Sequence, residues 1–232
     1  MLDISGTMCY DKSRYFAEKL DTAYPFLTCL VIGRSFSGKA VFSFSVGNKN
    51  NSVIITGTKS AQTSLILYKF TENVCESELF GKELSGVDFS ALVRKFGITV
   101  VPCLNPDFDE TVLGNYGAPE SGYNSKESET PTRAFVSLCR RHNFRSCLTL
   151  GSGANSIYYR REHSPVSSLM MAKILASPGF FGVSEKEMPP CPSRWFADEF
   201  LKPSFLIETT EEKDTLSLYK KLEETLVLMS VM

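Results

Sequence analysis

The chain has 232 residues, 43% of them hydrophobic, enough for one sizeable core that buries roughly 70–75% of the surface exposed by the unfolded chain. Lys and Arg total 25 against 26 Asp and Glu, a net charge of −1, with no basic stripe, which argues against a nucleic-acid or anionic-membrane partner. No uninterrupted apolar run reaches bilayer length, and Met1–Gly6 has neither the basic nor the apolar region of a signal peptide. Nothing resembles an interdomain linker, so residues 1–232 are expected to form a single domain. Seven cysteines form an odd set without Cys-x-x-Cys spacing. Several fall in apolar strand or helix patterns, where cysteine behaves as a small hydrophobe. A reduced, cytoplasmic protein is expected.

In chain order, Tyr10–Tyr24 carries a helical pattern through Tyr15, Phe16, Leu20 and Ala23. Three β-rich runs follow, Phe26–Ile32, Ala40–Val46 and Ser52–Thr56, separated by the turn-rich segments Gly33–Gly38 and Gly47–Asn51. They predict two successive hairpins or a meander. Gln62–Asn73 is expected to be helical, and the β-branched run Ile98–Leu104 a buried strand. Gly114–Ser128, with no apolar period, is expected as a loop. Arg133–His142 predicts a helix with Thr130 as cap and Pro131 in the first turn. Further on, Cys147–Leu150 and Ser156–Arg160 predict strands, Ser167–Ala176 and Arg194–Leu201 helices, Phe205–Glu208 a strand and Glu211–Val227 a closing amphipathic helix. Hairpins first and strand–helix alternation later give an α/β fold, a mixed parallel and antiparallel sheet with helices on both faces.

Five segments, in order, carry a family resemblance. Tyr24-Pro25-Phe26 leads into Ile32-Gly33-Arg34-Ser35-Phe36-Ser37-Gly38-Lys39, similar to IGxSxxGR. Ser52–Gly57 is similar to the strand that precedes a His-x-x-Glu motif, and Val101–Asp107 to VPxxNPDG. Ser128–Ala134 is similar to SExxTRA, and Trp195–Phe200 with Pro203–Glu208 to DWFxxEF and PSFTIE. Together these segments span nearly the whole chain, which resembles the zinc carboxypeptidase family and within it the bacterial γ-D-glutamyl-diaminopimelate peptidase branch.

The resemblance implies a catalytic zinc held by His-x-x-Glu and a histidine on a later strand, with a water in the open position. Here Lys59 stands at the His position, Gln62 at the Glu position and Gly151 at the third, with Ser152 the fallback for a one-residue slip. Protonated lysine has no lone pair to give, glycine has no side chain, and glutamine offers a weak neutral oxygen. The two histidines, His142 and His163, sit in a helix end and a charged loop and are expected to be ordinary surface residues. No cofactor is therefore expected, although the family uses zinc.

The family's general-base glutamate maps onto Glu208, which is retained. The carboxylate clamp is not: between Pro102 and Pro131 there is no arginine, one lysine, Lys126, and six acids, a balance that repels a carboxylate. Asn105 and Asp107 belong to the NPDG-like cleft segment, with Phe108 replacing its glycine, and the family's mobile tyrosine maps near Phe180-Phe181. The implied function is a non-catalytic binding or regulatory homologue, a pseudoenzyme, whose cleft takes a peptide or cell-wall-type peptide. No protein partner is indicated. Two alternatives stand beside it: an active metallocarboxypeptidase with atypical ligands, and a structural or interaction protein with a filled cleft. Without a dication, Glu208 is further expected to pair with the Lys59 ammonium.

Overall fold

A computed structural model of the chain describes residues 1–58, 60–107, 130–160 and 165–232. After α1 (Tyr10–Ala23) come β1 (Thr28–Arg34), β2 (Ala40–Val46) and, past a 3-10 turn at Lys49–Asn51, β3 (Ser52–Gly57). Then follow α2 (Ala61–Phe80), α3 (Phe89–Lys95), β4 (Gly97–Val101), α4 (Thr130–Arg141), β5 (Ser146–Ser152) and β6 (Ser156–Tyr159). The chain continues through α5 (Pro165–Leu175), β7 (Gly182–Val183), α6 (Pro192–Phe200), β8 (Ser204–Thr209) and α7 (Thr215–Val231). The strands form one eight-stranded sheet in the order β1-β2-β4-β3-β5-β8-β6-β7. The β4-β3-β5-β8 centre is parallel, β1 and β2 add antiparallel at one side, and β6 runs antiparallel to β8 at the other.

Burial explains the arrangement. The central strands are apolar on both faces: β3 and β4 are buried along their whole length, as expected of parallel strands covered on both sides. On one face, Val53 and Ile55 join Phe16 and Leu20 of α1, Leu65, Leu67, Tyr68 and Phe70 of α2 and Leu218, Leu222 and Leu226 of α7 in the larger core. On the other, Ile54 and Cys147 pack with Phe135 and Leu138 of α4 and Phe196 of α6. The α/β class with helices on both faces is thus as the sequence implies.

One expectation fails. Of the three runs, β1 and β2 form a hairpin, but β3 is not the neighbour of β2, because β4 lies between them, antiparallel to β2 and parallel to β3. The uniformly apolar Gly97–Val101 run needs cover on both faces, and the centre of the sheet provides it. Bounds also differ: α2 runs to Phe80, where Gly81 at φ 65° makes a left-handed stop, and α7 starts at Thr215, capped by the Asp214 carboxylate. Likewise α4 begins at Thr130, which is its first residue and not its cap, and β4 ends at Val101, short of the expected Leu104. Neither α3 nor β7 was apparent from the pattern. The expected loop at 114–128 lies outside the described residues.

The topology also locates the site. From β3 the chain proceeds to β4 on one side, and later to β5 on the other. That reversal is the switch point outside whose strand ends ligands bind in open α/β sheets. Gly57, Gly151 and Glu208 stand there, at the carboxyl ends of β3, β5 and β8.

Candidate functional site

Glu208 pairs with Gly151 on β5 and with Ser156 on β6. Two residues along β6, Tyr158 shares the face of Ser156 and is a diagonal neighbour of Glu208. Its phenol donates to Glu208 Oε2 at 3.1 Å. Burial first, then the Glu208 charge and its hydrogen bond, hold the Tyr158 hydroxyl above the usual phenol range, with Ser184 and Ser156 pulling the other way. The phenol therefore stays a donor at neutral pH. Gly153 is required for this packing: a Cβ there would lie 2.5 Å from Glu208 Oε2 and 2.6 Å from its Cδ. Tyr158 and Gly153 were not singled out by the sequence. The Ser156-Ile157-Tyr158-Tyr159 alternation opposite Glu208 was the signal that could have found the tyrosine.

Gln62 sits in the first turn of α2 and is turned to the segment after β8. Its Nε2 donates to the Glu212 carbonyl at 2.6 Å and to Thr215 Oγ1 at 3.3 Å, while its Oε1 accepts from the Glu212 N–H at 3.0 Å. Gly151 is buried, and a Cβ there would meet Leu206 at 3.6 Å and Thr58 at 3.9 Å. Ser152 is exposed. Lys59, and with it the expected Lys59–Glu208 pair, lies outside the described residues, as do His163 and Phe108. His142 follows α4, its N–H on the Leu138 carbonyl at 3.1 Å and its ring tilted against Phe144 at 5.7 Å. A zinc ion needs about three donors at roughly 2 Å. Gly151 has none, and the Gln62 amide is engaged by backbone and hydroxyl. Among the described residues no group of three or more His, Cys, Asp or Glu is placed to hold a metal ion; of the three former metal positions, 59 lies outside them.

The cleft residues hold structure together. Asn105 Oδ1 accepts from the Asp107 N–H at 3.2 Å. Asp107, itself buried, accepts from Ser35 Oγ at 2.7 Å and from the Ser37 N–H at 3.2 Å, and pairs with Lys39 Nζ at 3.5 Å. This carboxylate thus ties the β1–β2 turn to the exit of β4. Phe180 and Phe181 meet edge-on at 4.7 Å. Phe181 enters the larger core and Phe180 packs against it, with Lys221 Nζ of α7 5.1 Å from the Phe180 ring centre.

No family model matches the sequence, and no curated protein matches it. Solved structures do match. Thrombin-activatable fibrinolysis inhibitor superposes with a TM-score of 0.78 at 15% identity, over 98% of this chain and 74% of that one. Carboxypeptidase A from Helicoverpa armigera does so with a TM-score of 0.73 at 12% identity, over 99% and 73%. A metallo-carboxypeptidase from Pseudomonas aeruginosa, in complex with (2-guanidinoethylmercapto)succinic acid, gives 0.68 at 13% identity, over 94% and 67%. At such identities the likeness is one of backbone architecture, and in that architecture this chain has the metallocarboxypeptidase fold.

Proposed function

We propose that this chain is a non-catalytic, carboxypeptidase-like binding or regulatory protein, related to the γ-D-glutamyl-diaminopimelate peptidases, that has lost its zinc site. The observation that carries the reading is the donor set. Gly151 offers no ligand, Gln62 is held by Glu212 and Thr215, and residue 59 is a lysine. Glu208 is kept, yet a base without a polarised water and carbonyl lacks the electrostatic stabilisation that usually supplies most of the rate. The ligand proposed for the cleft is a peptide of cell-wall type, by analogy with that branch. Seven unpaired cysteines, five of them buried, support a reducing cytoplasmic setting.

The test is the zinc content of purified protein after incubation with zinc and desalting, read by elemental mass spectrometry. Less than about a tenth of an equivalent is expected, since a site missing its ligands forfeits most of the affinity of a zinc centre. Close to one zinc per chain would instead support an active enzyme with unexpected ligands.

A further inference from the structure

We infer that Gln62 is a positioning residue: its side-chain amide acts as a surrogate peptide group that clasps the strap between β8 and α7. Only the description of position 62 as a former metal position rests on the function proposed above; the clasp does not. The strap, residues 210–214, leads directly from Glu208 to the start of α7. It is pinned at its near end by Asn155 Oδ1, which accepts from the Thr210 N–H at 2.9 Å and the Thr210 hydroxyl at 3.1 Å. Gln62 pins the far end with a donor to the Glu212 carbonyl and an acceptor for the Glu212 N–H. The two groups match the N–H and C=O of one strand residue paired with another. The first turn of α2, the strap and residues 5–7 together line a cavity of about 420 Å³, so the clasp also holds one wall of that cavity in place.

A side chain that offers a donor and an acceptor side by side is an amide or an un-ionised carboxylic acid; a carboxylate only accepts. The position can therefore serve the strap as glutamine or a metal as carboxylate, not both at once. Gln62→Glu would set an anionic oxygen against the Glu212 carbonyl oxygen that now accepts from Nε2 at 2.6 Å. Among the described residues, the charged groups at this position are Glu211, Glu212, Lys213 and Asp214 of the strap, with Lys221 of α7 held on Glu212 at 2.6 Å and Lys220 acting on Asp214. Residues 5–7 bring no charge. The need for a donor toward the Glu212 carbonyl favours the protonated form of an introduced carboxyl, raising its folded-state pKa above the ordinary value of about 4.3. A raised folded-state pKa gives stability that is present below the unfolded value and lost as pH rises through the folded one.

The experiment compares wild type, Gln62→Glu and Gln62→Ala by thermal unfolding from pH 4 to pH 8, with hydrogen exchange of the Glu212 amide as second readout. Gln62→Glu should lie within about 1 °C of wild type near pH 4 and fall about 5 °C below it by pH 8. Gln62→Ala should show a deficit that does not change with pH. The Glu212 N–H should exchange about tenfold faster in Gln62→Ala, which lacks the acceptor, and near the wild-type rate in Gln62→Glu, which keeps it. A Gln62→Glu deficit independent of pH, or unchanged Glu212 exchange in Gln62→Ala, would overturn the clasp. Zinc retained by wild type would sink the proposed function and leave these results standing.

Discussion

Replacing Lys69 by methionine is expected to destabilise the fold by about 3–5 kcal/mol, the usual result of removing one partner of a buried ion pair. Lys69 Nζ lies 2.6 Å from Glu72 Oε2 on α2, with side-chain exposures of 8% and 3%. The other carboxylate oxygen accepts from the Leu2 N–H at 2.6 Å. Methionine nearly matches the lysine stem in length, so the loss reflects a buried Glu72 carboxylate left with the Leu2 N–H and the exposed Met1 ammonium, 3.5 Å from Oε1, rather than a cavity. A second change, Glu72→Gln in the Lys69→Met background, removes that charge while keeping an acceptor for Leu2, and should recover most of the loss. Urea unfolding midpoints of the three proteins decide it. A deficit under about 1 kcal/mol for Lys69→Met would mean that water or the Met1 ammonium offsets the Glu72 charge.

This pair lies within Gln62–Asn73, a helix expected from its pattern, yet nothing in the pattern marks the pair as buried. The elements were legible because their signals are local. Tyr10–Ala23, Ala40–Val46 and the strand ending just past Glu208 appear where periodicity and turn residues place them. The order of strands was not legible. Gly97–Val101 has no alternation to fix a face or a neighbour, and adjacency in sequence suggested a second hairpin that β4 displaces. At the site, the resemblance located Glu208, Gln62 and Gly151, but the partners of these residues lie far along the chain. Gln62 meets Glu212 across 150 residues, and Asp107 meets Ser35 across 72. Such contacts are written in the fold, not in spacing. Analogy places Asn105 and Asp107 in a cleft, but the bond between them and those of Asp107 with the β1–β2 turn depend on the fold.

Two glycines at the carboxyl ends of the central strands should respond oppositely to the same methyl group. At Gly57 a Cβ would lie 2.2 Å from the Pro102 carbonyl oxygen, 3.2 Å from its carbon and 3.2 Å from Leu67 Cδ1. The nearest of these are backbone atoms, and the Gly57 carbonyl in turn accepts from the Leu104 N–H at 3.1 Å. Neither strand end can yield without breaking the other's pairing, so Gly57→Ala is expected to cost about 3 kcal/mol, the upper range of overpacking. At Gly153 the two nearest atoms, Glu208 Oε2 and Cδ, are the free end of a side chain that can rotate away, while Glu208 Cβ at 3.1 Å need give only a few tenths of an ångström. Gly153→Ala should therefore change stability by less than about 1 kcal/mol while driving the carboxylate off Tyr158. Burial keeps part of the elevation of the Tyr158 pKa, but the parts due to the Glu208 charge and hydrogen bond are lost, so the phenol should ionise at lower pH. Glu208→Gln should lower it in the same sense, by removing the charge without moving the side chain. Carbon-13 NMR titration of the Tyr158 ring in the three proteins measures this directly. A Tyr158 titration unmoved by either change would mean that Glu208 does not lie against the phenol in solution. A large loss of stability in Gly153→Ala would mean that Glu208 is held by the scaffold as firmly as Pro102, which would make it a structural residue and not one free to meet a ligand.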